Sequence, residues 1–564
     1  MTPLDPFLQQ QRVAYFSMEI ALHNDIPTYS GGLGVLAGDT LRSAADLGVP
    51  LVAVTLVSHQ GYFRQIIDAE GRQVEQPDRW SVAEFAPMLG AKVAVHIEGR
   101  RVWIASWLYV VREPGGRDQP VILLDTNLEE NAPEDRHITD QLYGGDTEYR
   151  FKQEIVLGIG GVRMLAALGF RIFRYHMNEG HAALLAVELL RRSMIAETLR
   201  HPGDPVYDLA RVRELCCFTT HTPVEAGHDR FDYALVERVL GDLIEEATLR
   251  RLGGEDSLNM TRLALNVSKF INGVAHSHAE TSRAMFPGYQ VHAITNGAHP
   301  VTWTTRPFKE IFDREFEGWR QTPEILVRAD GALSDDTVWN AHAEVKNELM
   351  ELVRSRTGIG LDPSRPIVGF ARRMTAYKRP MLLFSDLERL LAIAERTPFQ
   401  IVMAGKAHPR DEEGKAVIRD LHALAPKLAH RIPLVFLPGY DMNTALHLVA
   451  GADLWLNTPL APMEASGTSG MKAAMNGVPS LSVLDGWWVE GCDEGVTGWA
   501  IEGGEAGSQD ADALYRKLGD VVLPLYYRDR VGWVRVMKGA IARNASYFHS
   551  HRMMRRYAAE AYLA

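Results

Sequence analysis

Cysteine is scarce in this chain. Three residues, Cys216, Cys217 and Cys492, are too few and too oddly spaced for a disulfide framework, and no CxxC pair is present to ligate a metal. The set points to a reducing, cytoplasmic compartment. No apolar run approaches the ~20 residues that span a bilayer. The N-terminal stretch lacks a basic start followed by an apolar core, so no secretory signal is expected. Excess positive charge is missing as well. A formal net charge of −11 disfavours nucleic acid or an anionic membrane as the main partner, while leaving room for a local basic patch. Internal repeats and low-complexity segments are also absent.

What is present is a long, ordinary globular composition. At 564 residues the chain exceeds what one hydrophobic core sustains, so two or more domains are expected. Strand-like apolar runs alternate with helical patterns in both halves, which predicts an α/β fold with doubly wound sheets.

The most informative stretch is Glu464-Ala-Ser-Gly-Thr-Ser-Gly-Met-Lys-Ala-Ala-Met-Asn-Gly477. It lies between two apolar runs, 452–457 and 479–484, and reads as strand, small-residue loop, short helix, strand. Ser466, Gly467, Thr468 and Ser469 fall where the loop becomes helix, a place where backbone N–H groups can approach an anion. Lys472 sits in the first turns of that helix, where the macrodipole disfavours a cation. A bound phosphate, or an amine tied up covalently, removes the conflict. Taken alone, the stretch reads equally well as a packed βα turn.

Two further loops carry chemistry. Tyr29-Ser-Gly-Gly-Leu-Gly34 opens a helical pattern over 35–47 after a strand over 12–19, a βαβ turn that admits anions or sugar hydroxyls. Arg372-Arg-Met-Thr-Ala-Tyr-Lys-Arg379 directly follows a buried strand. Its guanidinium forks and ammonium suit one or two phosphates. His176 and His181 flank the polar end of a strand starting at Arg171, but no third ligand has zinc spacing. Residues 93–111 predict a hairpin turning at Gly99-Arg100, and 127–145 a loop or lid. The stretch from about 306 to 344 is polar and mixed, a crossover between domains.

The Lys472 string resembles, nearly position by position, the cofactor-lysine signature of the α-glucan (glycogen, starch, maltodextrin) phosphorylases. The resemblance runs from near Tyr15 to near Tyr562, as a short form without the N-terminal regulatory extension of the long animal enzymes. It implies two Rossmann-like domains facing a cleft, the GT-B type: a substrate domain over 1–305, the crossover over 306–344, and a cofactor domain over 345–564 whose last helices can return to the first. It implies pyridoxal 5′-phosphate held by Lys472 as a Schiff base, with Thr468, Ser469, Arg372, Tyr440 and Trp303 around it. Arg373 and Lys378 match the residues that hold the substrate phosphate. Gly31, Gly32, Leu33, His181, Asn296, Tyr377, Glu464, Ser466 and Gly467 match contacts to the glucosyl unit.

The implied reaction is retaining phosphorolysis of terminal α-1,4-glucosyl units by inorganic phosphate to give glucose 1-phosphate, in a cytoplasmic homodimer. Arg372 stands where the family commonly has lysine, Asp441 where a basic residue is frequent, and His299 departs from the commoner residue. His299 and His176 are assigned no role, and Asp146 only a place near the sugar. His221 reads as structural. A glycogen-synthase-like nucleotide-sugar transferase shares the architecture and basic pair but needs no cofactor lysine. A pyridoxal aminotransferase and a non-catalytic glucan-binding protein are the remaining alternatives.

Overall fold

A computed structural model describes residues 3–201, 204–504 and 509–563. Two sheets, each built mainly from parallel strands, organise it. The first contains β1 (Arg12–Ser17) and β2 (Leu51–Leu56). After a separate hairpin of β3 (Arg64–Ile67) and β4 (Gln73–Gln76) come β5 (Val93–Ile97), β6 (Arg100–Val111), β7 (Gln119–Asp125), β8 (Ile172–Asn178), β9 (Cys216–Thr219), β10 (Phe270–Gly273) and β11 (His292–Ala293). Their order is β11-β10-β9-β8-β1-β2-β7-β6-β5. All neighbours are parallel except β5–β6 and β6–β7. The chain therefore winds outward in one direction from β1 to β2, and restarts on the other side at β8, pairing Ser17 with Asn178.

Alternation along the strands divides the apolar residues between two cores, as a period of two requires. Ala14 and Phe16 pack on one face with Val52, Val54, Leu157 and Leu184. Val13 and Tyr15 pack on the other with Leu41, Met553, Met554 and Tyr562. Helix α1 (Gly32–Asp46) thus lies against the last part of the chain. His176 helps hold that joint: Nδ1 meets the Tyr562 hydroxyl and Nε2 the Thr219 hydroxyl, both at 2.8 Å.

The second sheet contains β12 (Ile367–Ala371), β13 (Gln400–Ala404), β14 (Leu434–Leu437), β15 (Leu454–Asn457), β16 (Ser480–Val483) and β17 (Gly498–Ile501). It is parallel throughout, in the order β14-β13-β12-β15-β16-β17. This is the doubly wound order whose direction reverses between its first and fourth strands, the crevice where such sheets take ligands. Here that crevice lies beside the C-terminal ends of β12 and β15.

Several local expectations need correcting. The hairpin turns at Glu98 and Gly99, with φ of 52° and 75°, so Arg100 already belongs to β6. The helix expected from Val35 starts earlier, at Gly32, because an extended Gly31 forms its N-cap. The loop expected over 127–145 contains a short helix at Pro133–Arg136 and a 3-10 turn at His137–Thr139. The stretch after 306 is substantially helical. Helix Arg306–Glu315 carries Phe308, Ile311 and Phe312 at helical spacing into the core beneath the second sheet. Helix α2 (Asp335–Thr357) follows it. Among the described residues no helix is long and apolar enough to cross a membrane.

Candidate active site

The reversal points of the two sheets open onto one cavity of about 1190 Å³. The chain leaves β1 at Ser17 and returns through the glycine loop into α1. Glu19 organises that loop: its carboxylate accepts from the backbone N–H of Ser30 (2.6 Å) and Gly31 (3.2 Å), and from the Tyr143 hydroxyl (2.9 Å). A Cβ at Gly34 would stand 2.6 Å from Glu19 Oε2, so only glycine lets the helix approach this closely. Gly31, Gly32 and Leu33 line the cavity, and a Cβ on Gly31 would lie 3.6 Å from Arg373 Nη2.

The end of β8 contributes His181. Its Nε2 is 3.3 Å from Asp229 Oδ2, and its ring leans on Tyr143. Burial, then the nearby Arg150 guanidinium, lowers its pKa to about 4, so the imidazole is neutral at pH 7. His181 Nδ1 and Asn296 Oδ1 are buried without a hydrogen-bond partner among the described residues. Both residues line the cavity, where a sugar hydroxyl can satisfy such atoms by donating to them.

From the second sheet, β12 delivers Arg372 and Arg373 at its C-terminal end, followed by Tyr377 and Lys378 in a short 3-10 turn (Ala376–Lys378). The loop after β15 brings Glu464, Ser466, Gly467 and Thr468 to the same place, then helix α3 (Ser469–Ala474). Glu464 Oε2 accepts from Arg372 Nη2 at 2.7 Å and from Lys378 Nζ. Burial would raise this carboxyl, but Arg372 and Lys378 hold it down at about 2.

Lys472 points into the cavity from α3. Burial lowers its amine from 10.5 to about 8, with Asp39 opposing the shift. Its Nζ lies over the Trp303 ring, whose Nε1–H donates to both Asp39 carboxylate oxygens at 3.0 and 2.8 Å. Asn476 ties this assembly together, donating to the carbonyls of Trp303 (2.7 Å) and Lys472 (3.0 Å). Tyr440 lines the same wall.

Every residue matched to the cofactor, the phosphate or the glucosyl unit therefore borders this cavity, as do Asp146 and His221, whereas His176 and His299 do not. His299 does something else. It caps the turn Pro300–Trp303, accepting from Thr302 N–H at Nδ1, which leaves Nε2–H to donate to Asp46 at 2.8 Å. His551 Nε2 meets the same Asp46 oxygen at 2.9 Å. With its Nε2 carrying a proton toward Asp46, His299 presents no lone pair to a metal there.

Sequence reasoning missed Glu19, Tyr143, Arg150 and Asp229 as cavity residues. Glu19 could have been found, because it lies two residues after β1 and precedes the glycine loop. Asp229 could not, since it arrives from a short turn and a two-residue strand, Arg230–Phe231, too brief to read as an element from the sequence. Its neighbour Glu154 is buried against it, and burial followed by the Asp229 charge raises that carboxyl well above its ordinary range.

Two mainly parallel sheets whose reversal points share a polar cavity with three clustered cations, a buried lysine amine and a glycine loop define an α/β protein with a site suited to anionic ligands. Over residues 241–497 the chain matches the family described as "Carbohydrate phosphorylase". It is 38% identical to a maltodextrin phosphorylase of Thermococcus litoralis, over 98% of this chain and 70% of that protein. It is 37% identical to a glycogen phosphorylase of Mycobacterium tuberculosis, again over 98% and 70%. A glycogen phosphorylase of Aquifex aeolicus is 34% identical over 97% of this chain and 85% of that protein. This chain belongs to the carbohydrate phosphorylase family.

Proposed function

We propose that this protein is an α-glucan phosphorylase, transferring a terminal α-1,4-glucosyl unit to inorganic phosphate with retention, to give glucose 1-phosphate. In this reading residues 1–305 and 345–564 form two Rossmann-like domains of the GT-B type around the cavity, with 306–344 as crossover. It works in the cytoplasm as a homodimer. The observation that carries the reading is the cluster of Arg372, Arg373 and Lys378 beside the buried Lys472 amine and opposite the Gly31 loop. The names of the relatives agree with it.

The residues fit pyridoxal 5′-phosphate. Lys472 has an amine whose pKa of about 8 leaves a substantial neutral fraction at working pH. Lys472 would hold the cofactor, with Thr468, Ser469, Arg372, Tyr440 and Trp303 around it. Bound there, the cofactor would supply a second phosphate group as proton partner and electrostatic neighbour to the substrate phosphate.

The chain's own groups do the rest. Arg373 and Lys378 bind inorganic phosphate, neutralising its charge and holding it beneath the glycosidic bond. His181 and Asn296 accept from a glucosyl hydroxyl, while Glu464, Ser466, Gly467 and Tyr377 hold other edges of the ring. Gly31, Gly32 and Leu33 cover the reacting centre with backbone rather than side chain. Phosphate protonates the leaving glycosidic oxygen, the C–O bond breaks through an oxocarbenium-like transition state, and a phosphate oxygen adds to the anomeric carbon from the same face. Incubating the pyridoxal-phosphate-loaded protein with maltooligosaccharide tests this. Phosphate-dependent release of glucose 1-phosphate is expected. Glucosyl transfer from a nucleotide sugar, with no response to phosphate, would overturn it.

A further inference from the structure

Glu464 sits between two cations that the proposed function assigns to phosphates. Its Oε2 accepts from Arg372 Nη2 at 2.7 Å and from Lys378 Nζ, and each of the three side chains is only 9% exposed. Arg373, the third cation, makes no ion pair among the described residues. Hydrogen bonds between ionised groups at this burial are the strong kind, and a carboxylate and a phosphate oxygen present the same acceptor to the same donors.

The loop that carries Glu464 is anchored at its backbone. Its N–H donates to Asp485 Oδ2 at 2.7 Å, and two residues on, the Ser466 carbonyl accepts from Trp487 N–H at 2.9 Å. A Cβ on Gly486 would meet the Ser466 carbonyl oxygen at 2.4 Å, so the two chain segments are already in contact. The backbone is thereby held and the side-chain torsions are left as the degrees of freedom. The carboxylate faces Arg372 and Lys378, in the same cavity that His181 and Asn296 line.

We propose that Glu464 is a competing internal anion that couples the two substrates: it occupies Lys378, one of the two donors to inorganic phosphate, until glucan hydroxyls draw it away, and so makes phosphate affinity depend on glucan. This rests on the proposed function, because it needs both a phosphate and a glucosyl unit in this cavity. The coupling has a chemical use. It keeps the phosphate subsite weak until a glucosyl acceptor-of-attack is in place, and by linkage phosphate strengthens glucan binding by the same factor.

The test is equilibrium binding of inorganic phosphate to the pyridoxal-phosphate-loaded protein by calorimetry, alone and with a thio-linked maltooligosaccharide that cannot be cleaved. For the unaltered protein, the sugar should tighten phosphate binding. Glu464→Gln keeps the side chain's size and removes its charge. It should bind phosphate about ten- to a hundredfold more tightly without sugar, the range that one charge-assisted hydrogen bond is worth, and gain nothing further from sugar. Glu464→Asp, with a shorter reach to the cations, should move phosphate affinity the same way to a smaller extent. Phosphate binding by Glu464→Gln no tighter than that of the unaltered protein, in a variant with an unchanged melting temperature, overturns the coupling. Arg373→Ala separates the two failures. If it weakens phosphate binding while Glu464→Gln does not strengthen it, the phosphate site stands and the coupling falls. If neither variant changes phosphate binding, the proposed function falls with it.

Discussion

Lys472 Nζ stands 3.9 Å from the centre of the Trp303 ring, placing an amine from a helix of the second sheet on an indole from the segment after the first. The indole is in turn fixed by Asp39 of α1. Three distant parts of the chain thus define the position of one nitrogen, which is what a covalent anchor needs.

If that nitrogen only tethers pyridoxal phosphate, reducing its linkage with borohydride fixes the cofactor and leaves substantial activity. An aminotransferase must exchange the lysine for substrate amine and is stopped by the same treatment. Lys472→Ala should lose the covalent link, read directly by mass spectrometry of the reduced protein. An inactive reduced enzyme with unchanged circular dichroism would contradict the tether role.

Capture of pyridoxal phosphate by the cofactor-free protein should follow the Lys472 amine. Its pKa is lowered to about 8 by burial, against an ordinary 10.5. The neutral amine is the nucleophile, so the capture rate should climb as pH rises through about 8 and then level off. Stopped-flow absorbance across about pH 6–10, roughly two units either side of the transition, reads this. A rate still climbing near pH 10 would assign an ordinary exposed lysine instead.

Arg373→Ala should weaken phosphate use while leaving cofactor content unchanged. The loss of one charge-assisted contact to developing charge is worth about 2.7–4 kcal/mol, roughly a hundred- to a thousandfold in turnover. Initial rates against phosphate concentration, with cofactor measured separately, are the check. Unaltered phosphate kinetics would remove Arg373 from the site.

Gly405→Ala attacks the same loop from behind. Gly405 follows β13 with φ of 151°, and a Cβ there would lie 1.9 Å from the Arg372 carbonyl oxygen. The Arg372–Arg373 backbone must shift, at a cost on the order of 1–3 kcal/mol for the strained conformation alone. Both the melting temperature and the apparent affinity for phosphate should fall. A variant with lowered stability and normal phosphate affinity would show that the loop does not need this neighbour.

Asp453 is a structural counterpart with a clear pH signature. Buried before β15, it pairs with Lys346 at 2.9 Å and His342 at 3.1 Å and accepts from Ile367 N–H at 2.7 Å. Burial would raise its carboxyl, but Lys346 and His342 hold it at about 2, below the ordinary 3.8. Its contribution is therefore complete above pH 3.8 and lost as pH falls toward 2. Asp453→Ala should cost about 3–5 kcal/mol, because it strands the buried Lys346 ammonium. Denaturant unfolding at neutral pH gives the number. A loss under ~1 kcal/mol would mean that Lys346 and His342 find other partners.

Local residue pattern specifies the elements and the chemistry of their ends. Apolar runs such as 367–371 and 454–457 need burial on both faces, so they become central strands wherever they are placed. Small residues from Ser466 to Gly470, and cations directly after β12, mark loops at strand ends because such residues are costly inside a strand. Helix Arg306–Glu315 was hidden by charged residues that cover its outer face, although Phe308, Ile311 and Phe312 carry the spacing.

Which ends meet is settled by long-range packing. The order of parallel strands is set by long-range crossovers, and no local pattern encodes that β12 lies beside β15 or β1 beside β8. That order places Arg372 against Glu464, two residues with no sequence proximity, and brings the Gly31 loop to face Arg373. It also decided the state of each ionisable group. A lysine becomes a neutral-capable amine at about 8, and a carboxyl is held at about 2, through burial and neighbours that come from elsewhere in the chain.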